Sequence, residues 1–387
     1  MRFFQYISIL ICFACSLLLA SDIIFSDIPV QENGRIKPLD TFVRNQLLSM
    51  YGKRSLKENS LPKETQQTKM SAVEWLLDIT LHPEEADKYQ IFNISNPEIV
   101  GSLGLHWDSN HLYNLSEVLT GLQLQLEYIQ KIQSIPDDEL SKFDQQILQL
   151  YSNVIRFQKL SYSFTCIMNL IHIHDDTLAK VLDVKPGDKV SYYYVMQRAN
   201  ELNIIVDMLS RKDISNWSKA DSSLGMLLDR LNEINHDNFA QIIRLIPPRT
   251  INSEEIWHSP WALMDGRELS PTQEELLNTL ADYINAKKSG DKIASSQYLS
   301  KYETALMPYN SVVNIQNIKT ERWYNSAGLF VKSIGLYMLA FFILALSWMN
   351  NNAVFRKISY FSLLAGLGVH LLGIILRIII MQRPPIS

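Results

Sequence analysis

The sequence predicts a mainly α-helical protein: a leader, an exported helical domain and a two-helix transmembrane hairpin. Three observations predict it. Two apolar runs, Leu329–Met349 and Ser359–Met381, stand near the C-terminal end. Each is about 20 residues, and at about 1.5 Å per residue that length crosses a hydrocarbon core about 30 Å thick. Between them and the N-terminus, apolar residues recur mostly at helical spacing, as Ile147, Leu150, Tyr151, Val154 and Ile155 do. At the other end Arg2 precedes the apolar run Phe3–Ala20, and small residues Ala20 and Ser21 mark a cleavage point, as in a secretory signal.

These features divide the chain. Residues 1–20 are a signal peptide or an N-terminal anchor, and 21–325 an exported, mostly helical domain. A first transmembrane helix covers 326–349, a cytoplasmic loop 350–357, a second transmembrane helix 358–382 and an exported tail 383–387. Cleaved or retained, the leader exports the domain behind it. Arg356 and Lys357 suit a cytoplasmic loop. Lys319, Arg322 and Lys332 on the other flank offset that asymmetry, so the leader carries the orientation. The large domain is expected on the periplasmic side of the inner membrane.

Composition narrows the function. At 387 residues the chain exceeds what one compact domain usually needs. Its mean hydropathy of −0.03 averages a polar body with an apolar tail. A net charge of −4 and the lack of a sizeable basic stretch argue against a nucleic-acid partner. Of three cysteines, Cys12 and Cys15 lie in the leader. Without the leader Cys166 stands alone and no intrachain disulfide is possible. Beyond the leader there is no Cys-x-x-Cys, and nowhere a Cys-x-x-Cys-His. The chain thus offers no thiol-redox pair and no covalent c-type haem attachment site.

In order, Asn33-Gly34 signals a hairpin turn between short apolar stretches. Pro38 with Asp40 or Thr41 starts a helix that Phe42, Leu47, Leu48 and Tyr51 continue to Gly52. Lys57–Lys69 is polar and reads as a flexible loop. Ser71 and Glu74 form a capping box ahead of Val73, Leu76 and Leu77, and His82-Pro83 ends that helix. Tyr89–Ile94 alternates like a short strand, and Asn96-Pro97-Glu98 opens a small helix to Gly101. Leu115–Ile132 and Asp144–Ile173 read as a long antiparallel helical pair. Pro186-Gly187-Asp188 is a turn. Val190–Leu209 and Lys219–Asn235 read as helices, the first ambiguous at Tyr192-Tyr193-Tyr194. Pro247, Pro248, Trp257, Pro260 and Trp261 make Ile242–Met264 a rigid, turn-rich segment. Thr272–Ala286 and Ser295–Met307 are helical.

His172, His174, Asp175 and Asp176 form the cluster with metal-ligand residue types. In a helix, residues two apart point to different faces, so the two histidines share a metal only at a frayed end or in a strand. No HExxH and no further Cys or His lies close by, so a metal is not the leading expectation. Trp107 beside His106 and His111, and Trp257-His258 beside Trp261, suit stacking on a flat ligand or packing of a loop onto a core.

His370 is the principal candidate. It lies half way along the second span, and ionisable residues inside a membrane are functional-site candidates by default. Arg377, seven residues on, shares its face two turns later and lies near enough to the end of the span to snorkel. Gly366 and Gly373 fall on that face and leave room for a helix or a flat cofactor. Three roles stay open for His370: a haem ligand or a station on a haem path, a helix–helix hydrogen bond, or none. An intramembrane imidazole among small residues suits axial ligation of haem iron, and a propionate suits the Arg377 guanidinium.

A resemblance adds to this. The matching residues are Gly34-Arg35-Ile36-Lys37-Pro38-Leu39-Asp40-Thr41-Phe42, Ser71–Leu77 around Trp75, and Arg244-Leu245-Ile246-Pro247-Pro248 with Trp257. They continue with Glu321, Tyr324-Asn325 and Gly335-Leu336-Tyr337. Last come His370-Leu371-Leu372-Gly373-Ile374-Ile375-Leu376-Arg377 and Arg383-Pro384-Pro385-Ile386-Ser387. In these scattered short motifs the chain resembles the cytochrome c biogenesis proteins of the CcsA type (System II), in the variant with a large exported domain. Proteins of that type continue past Arg-Pro-Pro into further spans and a tryptophan-rich, haem-binding exported segment. This sequence stops first, so the remaining spans are expected on another chain, unless the reading frame is interrupted.

The resemblance implies the N-terminal part of a membrane complex that delivers haem and attaches it to exported apocytochrome c. It implies haem as cofactor, with His370 and Arg377 as haem-contacting residues. The implied partners are the rest of a CcsA-type protein, a ResB-type protein and apocytochrome c. No catalytic activity is expected of this chain alone, only a component's share in a haem-lyase complex. Two other classes remain: a membrane-tethered scaffold or binding protein without haem, and an exported metal-dependent enzyme using His172, His174, Asp175 and Asp176.

Overall fold

Asn33 and Gly34 form the turn of the N-terminal hairpin. A computed structural model describes residues 24–250, 256–350 and 353–381; the leader at 1–20 and the tail at 383–387 fall outside them. Both turn residues take positive φ, 51° and 75°, as a two-residue primed turn requires. The turn sets β1 (Pro29–Glu32) antiparallel to β2 (Arg35–Pro38), from Glu32↔Arg35 to Pro29↔Pro38. Helix α1 (Leu39–Tyr51) follows at once. Its N-cap is Pro38 in extended backbone, without a side-chain cap, so neither Asp40 nor Thr41 starts it. Asp40 instead accepts a hydrogen bond from Arg44 Nε at 2.7 Å, one turn on. Gly52, at φ 76°, ends the helix.

The chain divides into two units, one of them Ile23–Val313 and the other taking in Asn314–Ser387. In the first, Lys57–Lys69 is tied at its base. Lys57 and Lys69 are partners in a ladder between β3 (Ser55–Lys57) and β4 (Lys69–Ser71), and Leu56 and Leu61 are buried beside it. Ser71 then caps α2 (Ala72–Leu81). Its hydroxyl accepts the Glu74 N–H at 3.2 Å, and the Glu74 carboxylate accepts the Ser71 N–H at 2.8 Å. These bonds hold the Glu74 carboxyl below its ordinary pKa. Buried Trp75 on α2 stacks on Phe157 at 6.1 Å, and Phe92 meets Phe157 edge-on at 5.7 Å. Phe92 lies in β5 (Phe92–Asn93), which pairs with β6 (Leu112–Tyr113).

The expected long helical pair is shorter than its apolar pattern. The first member breaks at Gln125 (φ −103°, ψ 11°) into α3 (Leu115–Leu124) and a short helix, Leu126–Ile132. Gln125 Nε2 donates to the Ser102 carbonyl at 2.8 Å, which anchors the break. The second member, α4 (Lys142–Ser161), stops twelve residues before Ile173. Hydroxyls there bind the carbonyls behind them: Ser161 to Phe157 at 3.1 Å, Ser163 to Lys159 at 2.6 Å and Thr165 to Tyr162 at 2.9 Å. Phe164, Cys166, Ile167 and Met168 are fully buried, so this run has no wet face for a surface helix to present. The chain continues into β7 (Ile171–His172), paired with β8 (Lys189–Val190) across the predicted turn at Gly187. Val190–Leu209 likewise splits, into Tyr192–Met196 and Ala199–Ser210. Arg198 sits at the break with its guanidinium 3.7 Å from the Tyr194 ring centre.

Helix α5 (Lys219–Asn235) is capped by Ser218 and Asp221, α6 (Pro271–Lys288) by Ser270 and Gln273, and α7 (Lys292–Leu306) by Asp291. Between α5 and α6 lies the proline-rich segment. Pro247 and Pro248 carry no N–H, so regular pairing is closed to them. Buried side chains take up the carbonyls: Tyr302 Oη donates to Leu245 at 2.9 Å, Gln273 Nε2 to Pro247 at 3.0 Å and Tyr309 Oη to Pro248 at 2.9 Å. Ile246 and His258 exchange both backbone hydrogen bonds, at 3.0 and 2.8 Å. The N–H of Trp257 donates to Gln31 Oε1 at 2.8 Å, and the N–H of Gln31 to the Arg244 carbonyl at 2.9 Å. Three stretches far apart in sequence are therefore locked together: the N-terminal hairpin, Arg244–Pro248 and Trp257.

The second unit contains α8 (Ile315–Ala327), α9 (Leu329–Asn350) and α10 (Ala353–Met381). The last two are candidate membrane-spanning helices, and only 17% and 11% of their most apolar windows is buried. A soluble core helix would be mostly buried. Large apolar groups such as Val331, Met338, Phe341, Trp348, Phe361 and Leu371 face outward. Small ones, Ser359, Ser362, Gly366 and Gly373, are buried against α9. This inside-out distribution suits lipid, where close packing of small residues replaces the hydrophobic effect. Ser359 Oγ donates to the Ala340 carbonyl at 2.7 Å and Ser362 Oγ to the Leu336 carbonyl at 2.9 Å. Because α10 starts at Ala353, Arg356 and Lys357 lie in its first turns rather than in a loop.

Candidate intramembrane histidine site

His370 lies in the seam between α9 and α10. The seam on α10 runs Ser359, Ser362, Gly366, His370, Gly373, with steps of three or four residues that keep one face toward α9. His370 is half-buried. Its Nδ1 lies 3.3 Å from Tyr337 Oη, within hydrogen-bond range. Phe330 meets the imidazole edge-on, with ring centres 5.5 Å apart.

The two glycines make this approach possible. A methyl group on Gly366 would come within 2.9 Å of Tyr337 Cδ1 and Cε1. One on Gly373 would come within 3.3 Å of Phe330 Cε1. In this hairpin the space beside each glycine is thus filled by an aromatic ring of α9. Of the roles open to His370, a helix–helix hydrogen bond is the one this geometry makes directly.

The second imidazole nitrogen is different. Among the described residues, Nε2 has no hydrogen-bond partner. The Tyr337 bond runs in one of two ways: from the phenol to Nδ1, with the proton on Nε2, or from Nδ1–H to the phenol oxygen, with Nε2 bare. The second tautomer is the one that ligates a metal, and an oriented Nδ1–H is the usual support of such a ligand. In that second tautomer Nε2 is a bare nitrogen donor. Arg377, two turns along α10, is exposed and forms no ion pair among the described residues. Tyr337 and Phe330 are the site residues that spacing on α10 alone misses. The available signal was a phenol inside an apolar span, where its hydroxyl needs a partner.

The other candidates sit elsewhere. His172 ends β7, and its ring stacks against that of His174 at 5.7 Å and 21°. Asp175 caps the helix Asp176–Val181, with one carboxylate oxygen accepting from the N–H groups of Thr177 at 2.9 Å and Leu178 at 3.1 Å. Asp176 is exposed in that helix. Among the described residues no group of three or more His, Cys, Asp or Glu side chains is placed to hold a metal ion. Trp257 and Trp261 are buried, and Trp261 Nε1 donates to the Tyr162 carbonyl at 3.0 Å, so both pack the core. Trp107 is half exposed, edge-on to His111 at 4.7 Å. Burial pushes the Cys166 thiol well above its ordinary pKa, which leaves it inert as a nucleophile at neutral pH.

No family model matches the chain, and neither a curated protein nor a solved structure matches it.

Proposed function

We propose that this chain is the N-terminal part of a membrane complex that moves haem outward and attaches it to exported apocytochrome c. The observation that carries the reading is His370, an imidazole inside a candidate span with Nδ1 beside a phenol and Nε2 without a described partner. The motif resemblance to CcsA-type proteins supports it. His370 would hold haem through a ring nitrogen, and haem, when bound, would supply an iron that takes such a nitrogen as ligand. Tyr337 orients His370, Gly366 and Gly373 let α9 approach closely enough to do so, and Arg377 offers a guanidinium to a carboxylate. In this reading the first unit lies on the periplasmic side of the inner membrane. In this reading a CcsA-type second polypeptide, a ResB-type protein and apocytochrome c are the partners.

Purification of the tagged chain, expressed with a CcsA-type second polypeptide, tests this. Wild type should bring down that polypeptide together with haem, read as a pyridine haemochrome. His370→Ala should retain the polypeptide and lose most of the haem. Wild type free of haem beside its partner would sink the proposal.

The Tyr337–His370 contact also favours a second reading, a membrane-tethered scaffold in which His370 packs helices. That reading expects no haem in wild type and a less stable hairpin in His370→Ala. Interhelical hydrogen bonds in membranes are worth about 0.6 kcal/mol on average, so the expected loss is small.

A further inference from the structure

We propose that the first unit binds a small-molecule oxyanion, a carboxylate or a phosphate ester, in the cleft between the N-terminal hairpin, α4 and Arg244. The cleft measures about 500 Å³. That falls within the range of small-ligand sites, about 300–1,000 Å³. Three cations line it: Arg156, Lys159 and Arg244.

Each cation arrives by a separate structural cause. Arg156 and Lys159 are three residues apart on α4 and share a face. Buried Val154, Phe157 and Leu160 hold that helix in place. Arg244 comes from far along the chain and is fixed by the Gln31 N–H on its carbonyl, at 2.9 Å.

None of the three has a carboxylate partner among the described residues. The bond that Arg156 makes is to the neutral amide oxygen of Gln46, at 3.4 Å. The ammonium of Lys159 and the guanidinium of Arg244 make none. The carboxylate that lines the cleft, Glu32, is already engaged. It is ion-paired with Lys37 and accepts from Gln46 Nε2 at 2.8 Å. Among the described residues the cleft lining therefore keeps a positive surplus, in a chain whose net charge is −4. Like charges converging on a concavity raise a local positive potential that draws anions. Two guanidinium forks match the paired oxygens of carboxylate or phosphate. Phe239, with half-buried Ile155 and Ile242, adds an apolar wall for the body of the ligand. The concave shape favours a small molecule over an acidic macromolecule. The proposal stands apart from the haem reading.

The test is isothermal titration of the full-length chain in detergent with citrate and with inorganic phosphate, at ionic strength held constant with sodium chloride. At least one anion should bind saturably at a single site, and the tighter one identifies the class. Arg156→Gln and Arg244→Gln should each weaken it about 10-fold or more, as loss of a charge-assisted hydrogen bond implies. Glu32→Gln, which removes the opposing charge, should tighten binding, a change that partial unfolding cannot imitate. No saturable binding of either anion would overturn the proposal. So would equal affinity in Glu32→Gln, or in arginine variants that keep the wild-type circular dichroism. Binding of an acidic peptide in the absence of binding by both small anions would also overturn it.

Discussion

Replacing Tyr302 by Phe tests how the proline-rich segment is held. Tyr302 is 1% exposed, and its hydroxyl donates to the Leu245 carbonyl at 2.9 Å. Phenylalanine fills the same ring volume, so the change is one hydroxyl and not a cavity. What is lost is the partner of a buried carbonyl. Neighbouring backbone cannot replace it, since Pro247 and Pro248 have no N–H. Leaving a buried acceptor unpaired costs about 1–3 kcal/mol, while removal of the buried hydroxyl itself returns part of that. We expect a net loss of about 1–2 kcal/mol. Burial pushes the Tyr302 phenol upward, so it remains a donor throughout the neutral range and the loss should not vary there with pH. Urea unfolding of the full-length chain in detergent, followed by tryptophan fluorescence, measures it as a lower midpoint at unchanged slope. A loss below about 0.5 kcal/mol at unchanged slope would refute the reasoning, because Leu245 would then have another donor.

Ser71→Ala removes one half of the capping box on α2 and should cost about 1 kcal/mol in the same assay. Gly121→Ala places a methyl group 2.7 Å from the Leu103 carbonyl oxygen. The strain, about 1–3 kcal/mol, should outweigh a gain in helix propensity of about 1 kcal/mol, so the protein is destabilised. Gly101→Ala meets nothing within 4 Å and should be neutral or stabilising. Hydrogen bonds from Lys212 and then Ser218 lower the pKa of the Asp221 carboxyl to about 2. Its contribution to stability is therefore present above the ordinary carboxyl pKa of about 4 and lost as pH falls toward about 2. Asp221→Asn should flatten that acid limb in melting curves recorded across this range.

Local signals with a short-range cause were legible in the sequence. Asn33-Gly34 gave its turn, Ser71 and Glu74 their capping box, and Lys219–Asn235 its helix boundaries. Where the apolar pattern ran longer than the element, tertiary structure decided. Gln125 ends one helix by reaching the Ser102 carbonyl, and the serines after Phe157 end another. Lys57–Lys69 read as a loop because its ends pair only with each other, which no local pattern announces. The site was half legible. His370, Gly366 and Gly373 follow from spacing on one helix, but Tyr337 and Phe330 come from the other, whose register against the first is not written in either run. Arg244 beside Arg156 and Lys159 was illegible for the same reason.

The central claim, that His370 lends a ring nitrogen to haem iron, is tested most directly by imidazole rescue. His370→Gly removes the ring and leaves its space. The full-length chain, purified with its partner polypeptide, is examined by absorption spectroscopy before and after addition of free imidazole. The account predicts a haem spectrum in wild type, its loss or shift in His370→Gly, and its return with imidazole. A His370→Gly protein that keeps the wild-type haem spectrum without imidazole would contradict it.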